Sequence, residues 1–444
     1  MAQRNPRDER ECGRASKPKP EQRSPSQIDR DRIVYSHSFR RLGGVTQVVS
    51  PSEGHIFHNR LTHSLKVAQV ARRIAEKLTQ TRADKLRAAR HGGLDPDVVE
   101  AAALAHDMGH PPFGHVAEEE LAHLAEEAGD PDGFEGNAQS FRIVTHLAAH
   151  GSAYRGLNLT RACLRAILKY PWLKGQAPLG QNPKKFGCYG TESARLSWAQ
   201  QHQVPPFRRS LEAEVMDFAD DITYSVHDLD DFYRAGMVAL QPLLSNEGEL
   251  DKFLADWVAE GRARTSWVKK WRPSFRQVLR FVFEQRPYTG QFEQRVRFRT
   301  ISSALIQKFV FGVRLRNLRE PGNLLHCDDR VKAEIEFLKR LVWVYVIKNP
   351  RLGTQQAGQR EIIRRLFQIY LEAVEKRRRE IVTPVFHDVL DEIDLAPVSS
   401  EERRKREVRL AVDIVASLTD QQASMLFRRF TGVAIGSLAD SLEG

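Results

Sequence analysis

Apolar residues recur along this chain at the three-and-four spacing of helices and hardly anywhere at the alternation of strands. In residues 61–78 they fall at Leu61, Leu65, Ala68, Ala71, Ala75 and Leu78. That spacing predicts an amphipathic helix, with Asn59 placed to cap it. A second helix start is written at Asp95-Pro96, a capping carboxylate followed by proline in the first turn. Val98, Val99, Ala102, Ala103 and Leu104 carry it to His106 and Asp107, and Gly109 with Pro111-Pro112 stops it. A third helix is predicted over residues 211–234, with Val215, Phe218, Ile222, Val226 and Leu229 as its stripe. Residues 331–347 and 359–374 read the same way. No long stretch alternates with period two and no Asn-Gly hairpin signal occurs, so the expected fold class is all-α.

Residues 1–27 break this pattern. They are rich in Arg, Lys, Pro, Ser and Glu and nearly free of large apolar side chains. Such a segment buries too little to offset its ordering, which predicts a disordered basic tail. The helical pattern begins at Ile28. Residues 257–311 mix Trp, Phe, Arg and Lys. Aromatics that stack bases and cations that hold phosphates would make this a single-stranded nucleic-acid surface. Aromatics at helical spacing more often fill a core, and that is the preferred reading.

Composition refines the picture. With 444 residues, 41% hydrophobic and 28% charged, the chain has ample material for a large core. A net charge of +11 favours polyanionic partners: nucleotides, nucleic acid or an anionic membrane surface. The blander explanation places part of that excess in the tail. Cys12, Cys163, Cys188 and Cys327 are scattered and form no CxxC pair, which argues against a zinc knuckle or a disulfide framework. No apolar run is long enough to span a bilayer and the N-terminus lacks a signal-peptide core. A soluble, cytoplasmic protein without membrane partners is expected.

The candidate chemistry lies in the first half. Thirteen of the 15 histidines stand at or before His227. His106-Asp107, inside AHDMGHPPFGH, ends a predicted helix, where neighbouring side chains can reach one ion. Imidazole and carboxylate together suit Mn²⁺, Fe²⁺, Co²⁺ or Zn²⁺; Mg²⁺ prefers oxygen donors. His63 lies on the first helix, on the face away from Leu65 and Ala68. Asp220, Tyr224 and Asp228 recur every four residues on the third and share one face. A lone His-Asp pair is common; His…His-Asp…Asp across three helices is far more specific.

At this point a resemblance is plain. The chain resembles the HD superfamily of metal phosphohydrolases and, more narrowly, its deoxyguanosine triphosphate triphosphohydrolase-like family. The matching stretches are FRRLGGVTQVV, NRLTHSLKVAQVARRIA, AHDMGHPPFGHVAEEEL, FEGNAQSFRIV, GLNLTRACLRAILKYPW and RSLEAEVMDFADDITYSVHDLDDFYRAG. They cover roughly residues 35–236. A weaker match, DIVASLTDQQA, lies near the C-terminus, with Gln421 where the family usually has Arg.

The resemblance implies a helical HD core over residues 28–236 and a helical C-terminal region, 237–444, that completes the pocket and supplies oligomer contacts. It implies that His63, His106, Asp107 and Asp220 hold a divalent metal, with Mn²⁺ the first choice. Asp220 is taken rather than Asp221 because it stands one turn before Tyr224, as in the family motif. His115 and Glu118 match the family's catalytic pair. Arg60 is implied as a phosphate contact, Gln47 and Asp228 as readers of the deoxyribose 3′-hydroxyl, and Tyr224 as the residue against the sugar. Asn137 belongs to a motif near the pocket without an assigned role, and His110 is left without one. The implied reaction converts deoxynucleoside triphosphates to deoxynucleoside and inorganic triphosphate. Relatives are often homo-oligomers, commonly hexamers, and many respond to a second, allosteric dNTP. Two other classes stay open: an HD phosphohydrolase acting on an alarmone or a nucleoside monophosphate, and a single-stranded nucleic-acid-binding protein.

Overall fold

The computed structural model describes residues 5–13, 21–48, 58–152, 154–201, 207–236, 240–283, 288–317, 323–348 and 350–433. The fold is all-α. Among the described residues the strands form two short antiparallel pairs, Ala149–Gly151 with Tyr154–Arg155 and Val313–Leu315 with Leu325–Cys327. No helix among them is long and apolar enough to cross a membrane. None of the four cysteines forms a disulfide.

Three helices frame the site. The first, Arg60–Leu78, starts where the Asn59 side chain accepts the Thr62 N–H at 2.9 Å. The second, Pro96–Ala105, is capped by Asp95 accepting the Asp97 N–H at 2.9 Å. The third, Leu211–Thr223, is capped by Ser210. It then widens into a π-helical turn, Tyr224–Asp228, before resuming as Leu229–Arg234. Single π turns inside α-helices recur at functional positions because the extra residue re-aims side chains.

The stripe of the first helix differs from the one read in the sequence. Leu65 is 49% exposed, whereas His63, Ser64, Val67, Val70 and Ile74 are buried. This helix packs against both of the other two. It therefore buries two adjoining faces, and the second one carries His63.

The tail reading is corrected for residues 5–13 and 21–27. Pro6–Asp8 forms a 3₁₀ turn, and the helix Pro25–Val34 opens with a capping box from Ser24 to Gln27. The ordering comes from charge pairing, not apolar burial. Arg10 meets the fully buried Asp29 at 2.5 Å, Glu9 meets Arg161 at 2.8 Å, and Arg7 pairs with Glu212. Residues 1–4 and 14–20 lie outside the described residues.

The core does not divide at residue 236. One apolar cluster runs from Ile33 to Val346, with Leu229 and Tyr233 packed among Phe283, Phe298 and Leu305. Most of the aromatics of the Trp- and Arg-rich middle fill it: Trp257, Phe275, Phe298 and Phe309 are buried, and Phe275 stacks on Phe337 with ring centres 4.6 Å apart. A second core lies beyond the helix His115–Ala128. There Ala117, Leu121 and Leu124 meet Ile363, Phe367, Leu410 and Ile414 of the C-terminal helices.

Candidate active site

His63, His106, Asp107 and Asp220 converge. His63 Nε2 lies 3.0 Å from Asp220 Oδ1. His106 Nε2 lies 3.3 Å from Asp107 Oδ1 and 3.8 Å from Asp220 Oδ1. His106 Nδ1 donates to the Ala103 carbonyl at 2.7 Å. That bond makes Nδ1 the protonated nitrogen, so the buried, unpartnered Nε2 offers a lone pair to the cluster. A lone pair facing two carboxylates is repulsive unless a cation lies between them. The donor set therefore fits a divalent metal of the Mn²⁺, Fe²⁺, Co²⁺ or Zn²⁺ type.

Both carboxylates are held ionised. Burial pushes Asp107 up, but the positive surroundings, with the Arg60 guanidinium bonded to it, outweigh that and keep it well below the usual carboxylate range. Burial is likewise outweighed at Asp220 by Lys169 and the hydrogen bond with His63. Lys169 Nζ stands 2.6 Å from Asp217 and 3.3 Å from Asp220. The neighbouring Asp221 points elsewhere: its carboxylate takes Lys339 Nζ at 3.0 Å, and burial lifts its pKa to about 6.

His115 opens the helix His115–Ala128 after two residues with left-handed backbone, Phe113 and Gly114. Gly114 is required twice over. Its φ is +63°, and a Cβ there would sit 3.1 Å from Arg60 Nη2. The His115 side chain is 71% exposed, with Nδ1 2.8 Å from Glu118 Oε2. Glu118 is buried, and its Oε1 also accepts from Gly136 N at 3.2 Å and Lys185 Nζ at 3.0 Å. Burial opposes its ionisation, but His115 and Lys185 hold it well below the normal range. Asn137 packs one step further out, where its backbone and side chain both donate to Glu135, which Lys185 also meets at 2.8 Å.

Arg60 is buried. Its Nη1 donates to Asp107 Oδ2 at 2.8 Å, its Nε donates to the Thr46 carbonyl at 3.0 Å, and its Nη2 has no protein partner. Gln47 Oε1 and Asp228 Oδ2 are also buried without partners. Burial, with Asp231 and Asp220 nearby, pushes the Asp228 carboxyl well up. Tyr224, half-buried, begins the π turn that ends at Asp228, and burial raises its phenol.

Comparisons with known proteins give the family. A family model described as "HD domain" matches residues 60–168, and one described as "Phosphohydrolase-associated domain" matches residues 325–429. A protein of Streptomyces coelicolor called "Deoxyguanosinetriphosphate triphosphohydrolase-like protein" is 35% identical over 92% of this chain and 93% of its own length. Proteins of the same name from Corynebacterium diphtheriae and Bifidobacterium longum are 35% and 33% identical, over 90% and 92% of this chain and 90% and 83% of their own lengths. The chain belongs to the deoxyguanosinetriphosphate triphosphohydrolase-like family.

HD-domain proteins are metal-dependent, and the His63–His106–Asp220 group could hold a metal ion. The phosphohydrolase-associated domain meets the HD domain over a shared core and through buried ion pairs such as Arg142–Asp413 and Asp130–Arg409, and it reaches the site through Asp420. Asp420 accepts the Phe113 N–H at 2.8 Å and the Thr46 N–H at 3.1 Å, and so pins the loops before His115 and Gln47. Arg41 donates to Leu418 O at 2.9 Å and to Met108 O and His110 O at 2.9 and 2.7 Å. Sequence reasoning left Lys169, Lys185, Glu135, Asp420 and His110 without roles. Lys169 stood in the matched stretch ending KYPW, and Asp420 in SLTD; their neighbours in space were not legible. His110 is buried, its ring centre 5.5 Å from that of His115.

Proposed function

We propose that this chain hydrolyses deoxynucleoside triphosphates to deoxynucleoside and inorganic triphosphate, with a divalent cation, Mn²⁺ first, held by His63, His106, Asp107 and Asp220. The observation that carries the reading is a set of buried, unpartnered polar atoms on residues of the matched motifs: Arg60 Nη2, whose guanidinium also pairs with Asp107, Gln47 Oε1 and Asp228 Oδ2. A guanidinium donor suits a phosphate, and a carbonyl and a carboxyl suit a sugar hydroxyl.

The bound cation would withdraw charge from the α-phosphate. Arg60, Lys169 and Lys185 would neutralise the phosphate oxygens, since all three already face the anionic groups of the site. Water oxygen would bond to the α-phosphorus, giving up one proton to solvent, and the bond from phosphorus to the 5′-oxygen would break. That alkoxide is a poor leaving group and needs a proton. Glu118 holds His115 through Nδ1, which leaves Nε2 to deliver it as general acid. Gln47 and Asp228 would take the 3′-hydroxyl, with Tyr224 against the ring. Homo-oligomerisation and a second, regulatory dNTP belong to the same reading through the family resemblance.

The test is product analysis with Mn²⁺ and the four dNTPs, singly and mixed, beside an Asp107→Ala control. Deoxynucleoside and triphosphate with a silent control support the reading. An intact mixture, or nucleoside mono- or diphosphates, sinks it and turns attention to alarmones and single-stranded DNA.

A further inference from the structure

A second cluster of ligating side chains adjoins the first. His110, His115 and Glu118 each present one ligand atom, and these atoms lie within 4.8 Å of one another, as do those of His63, His106 and Asp220. We propose that His110, His115 and Glu118 form a second divalent-cation site, suited to Zn²⁺, whose occupancy withdraws His115 from proton transfer.

Three observations carry this. First, the His110 side chain is more than nine-tenths buried; its Nδ1 lies 3.1 Å from Asp107 Oδ1 without forming a well-aligned hydrogen bond. Gly136 leaves room for its ring, since a Cβ there would come within 3.3 Å of it. Second, the two oxygens of Glu118 are divided: Lys185 and the Gly136 N–H take Oε1, and Oε2 faces His115 Nδ1 at 2.8 Å. Oε2 and Nδ1 are thus presented together, at a spacing two ligands of one ion can keep. Third, two imidazoles and one carboxylate are the donor set of three-ligand zinc sites with an open position, and the exposed side of His115 gives an ion a way in. Mg²⁺, which prefers oxygen ligands, fits this set poorly.

Asp107 separates the two clusters, its Oδ1 lying 3.3 Å from His106 Nε2 and 3.1 Å from His110 Nδ1. The functional consequence rests on the proposed role of His115: a ligated imidazole cannot also carry the proton for the leaving oxygen. The binding itself rests on geometry alone.

The experiment counts ions and needs no turnover. The full chain is stripped with chelator, dialysed against Zn²⁺, desalted and measured by mass spectrometry for zinc per chain. The wild type is expected to retain one Zn²⁺ more than either His115→Ala or Glu118→Gln. Because the His115 side chain is largely exposed, its removal leaves the packing intact. A wild-type count equal to that of His115→Ala overturns the proposal. If zinc-free protein assayed with Mn²⁺ fails to hydrolyse any dNTP while the zinc count differs, the hydrolase reading falls and the second site stands.

Discussion

Asp420 and Phe113 are 307 residues apart, yet the Asp420 carboxylate accepts the Phe113 backbone N–H at 2.8 Å. The same carboxylate takes the backbone N–H and the hydroxyl of Thr46. One residue of the phosphohydrolase-associated domain thus sets two loops, one inside the HD domain that leads to His115 and one ahead of it that leads to Gln47. Asp420→Ala orphans both buried N–H groups, each worth about 1–3 kcal/mol. It should lower the melting temperature and slow turnover by up to about 100-fold through misplacement of His115, while bound metal stays at the wild-type level. Unchanged turnover would remove Asp420 from the site's support.

The structure separates two adjacent carboxylates. Asp220 Oδ1 lies against His63 and His106, whereas Asp221 pairs with Lys339. Asp220→Ala should abolish both tight cation binding and hydrolysis; Asp221→Ala should keep the cation. Metal content of the two purified variants decides this. The reverse pattern would move the ligand to Asp221.

Asp228 yields a pH prediction. Burial, Asp231 and Asp220 raise its folded pKa above an unfolded value of about 3.9. A raised folded pKa means that the carboxyl favours folding below the unfolded pKa, and that this contribution is lost as pH rises through the folded pKa. Asn does not titrate. Metal-free Asp228→Asn should therefore gain stability relative to wild type as pH rises from about 4 towards neutrality, with the gap closing below that. Melting temperatures across pH test it; a gap that is flat with pH contradicts the burial argument. The same variant should lose preference for the 3′-hydroxyl, read as a higher KM.

Arg10 tests the N-terminal segment. Its partner Asp29 is fully buried and also takes the Thr160 N–H and hydroxyl. Burial still pushes the Asp29 carboxyl up despite Arg10, so removing the arginine leaves a poorly compensated charge. Arg10→Ala should destabilise by about 3–5 kcal/mol in denaturant titration. A change under about 0.5 kcal/mol, the usual range for uncoupled surface positions, would mean that residues 5–13 do not hold to the body in solution.

How much of this could be read in advance follows from the range of each interaction. Helix spacing, the caps at Asn59 and Asp95, and the His-Asp ending of the second helix are local, set by neighbours a few residues away. The sequence by itself therefore determined the all-helical class and the order of the site-bearing helices, and its motifs pointed to the family. Only tertiary structure decided which faces meet. Leu65 sits outside and His63 inside because two helices, not one, pack on the first. Lys169 reached Asp220, Lys185 reached Glu118 and Asp420 reached Phe113 across 51, 67 and 307 residues. The ordered N-terminal segment escaped composition for the same reason. Its apolar content is low, but Glu9 and Arg10 find charged partners that folding brings to them. Charge pairing of that kind is fixed by three-dimensional proximity, which no local periodicity encodes.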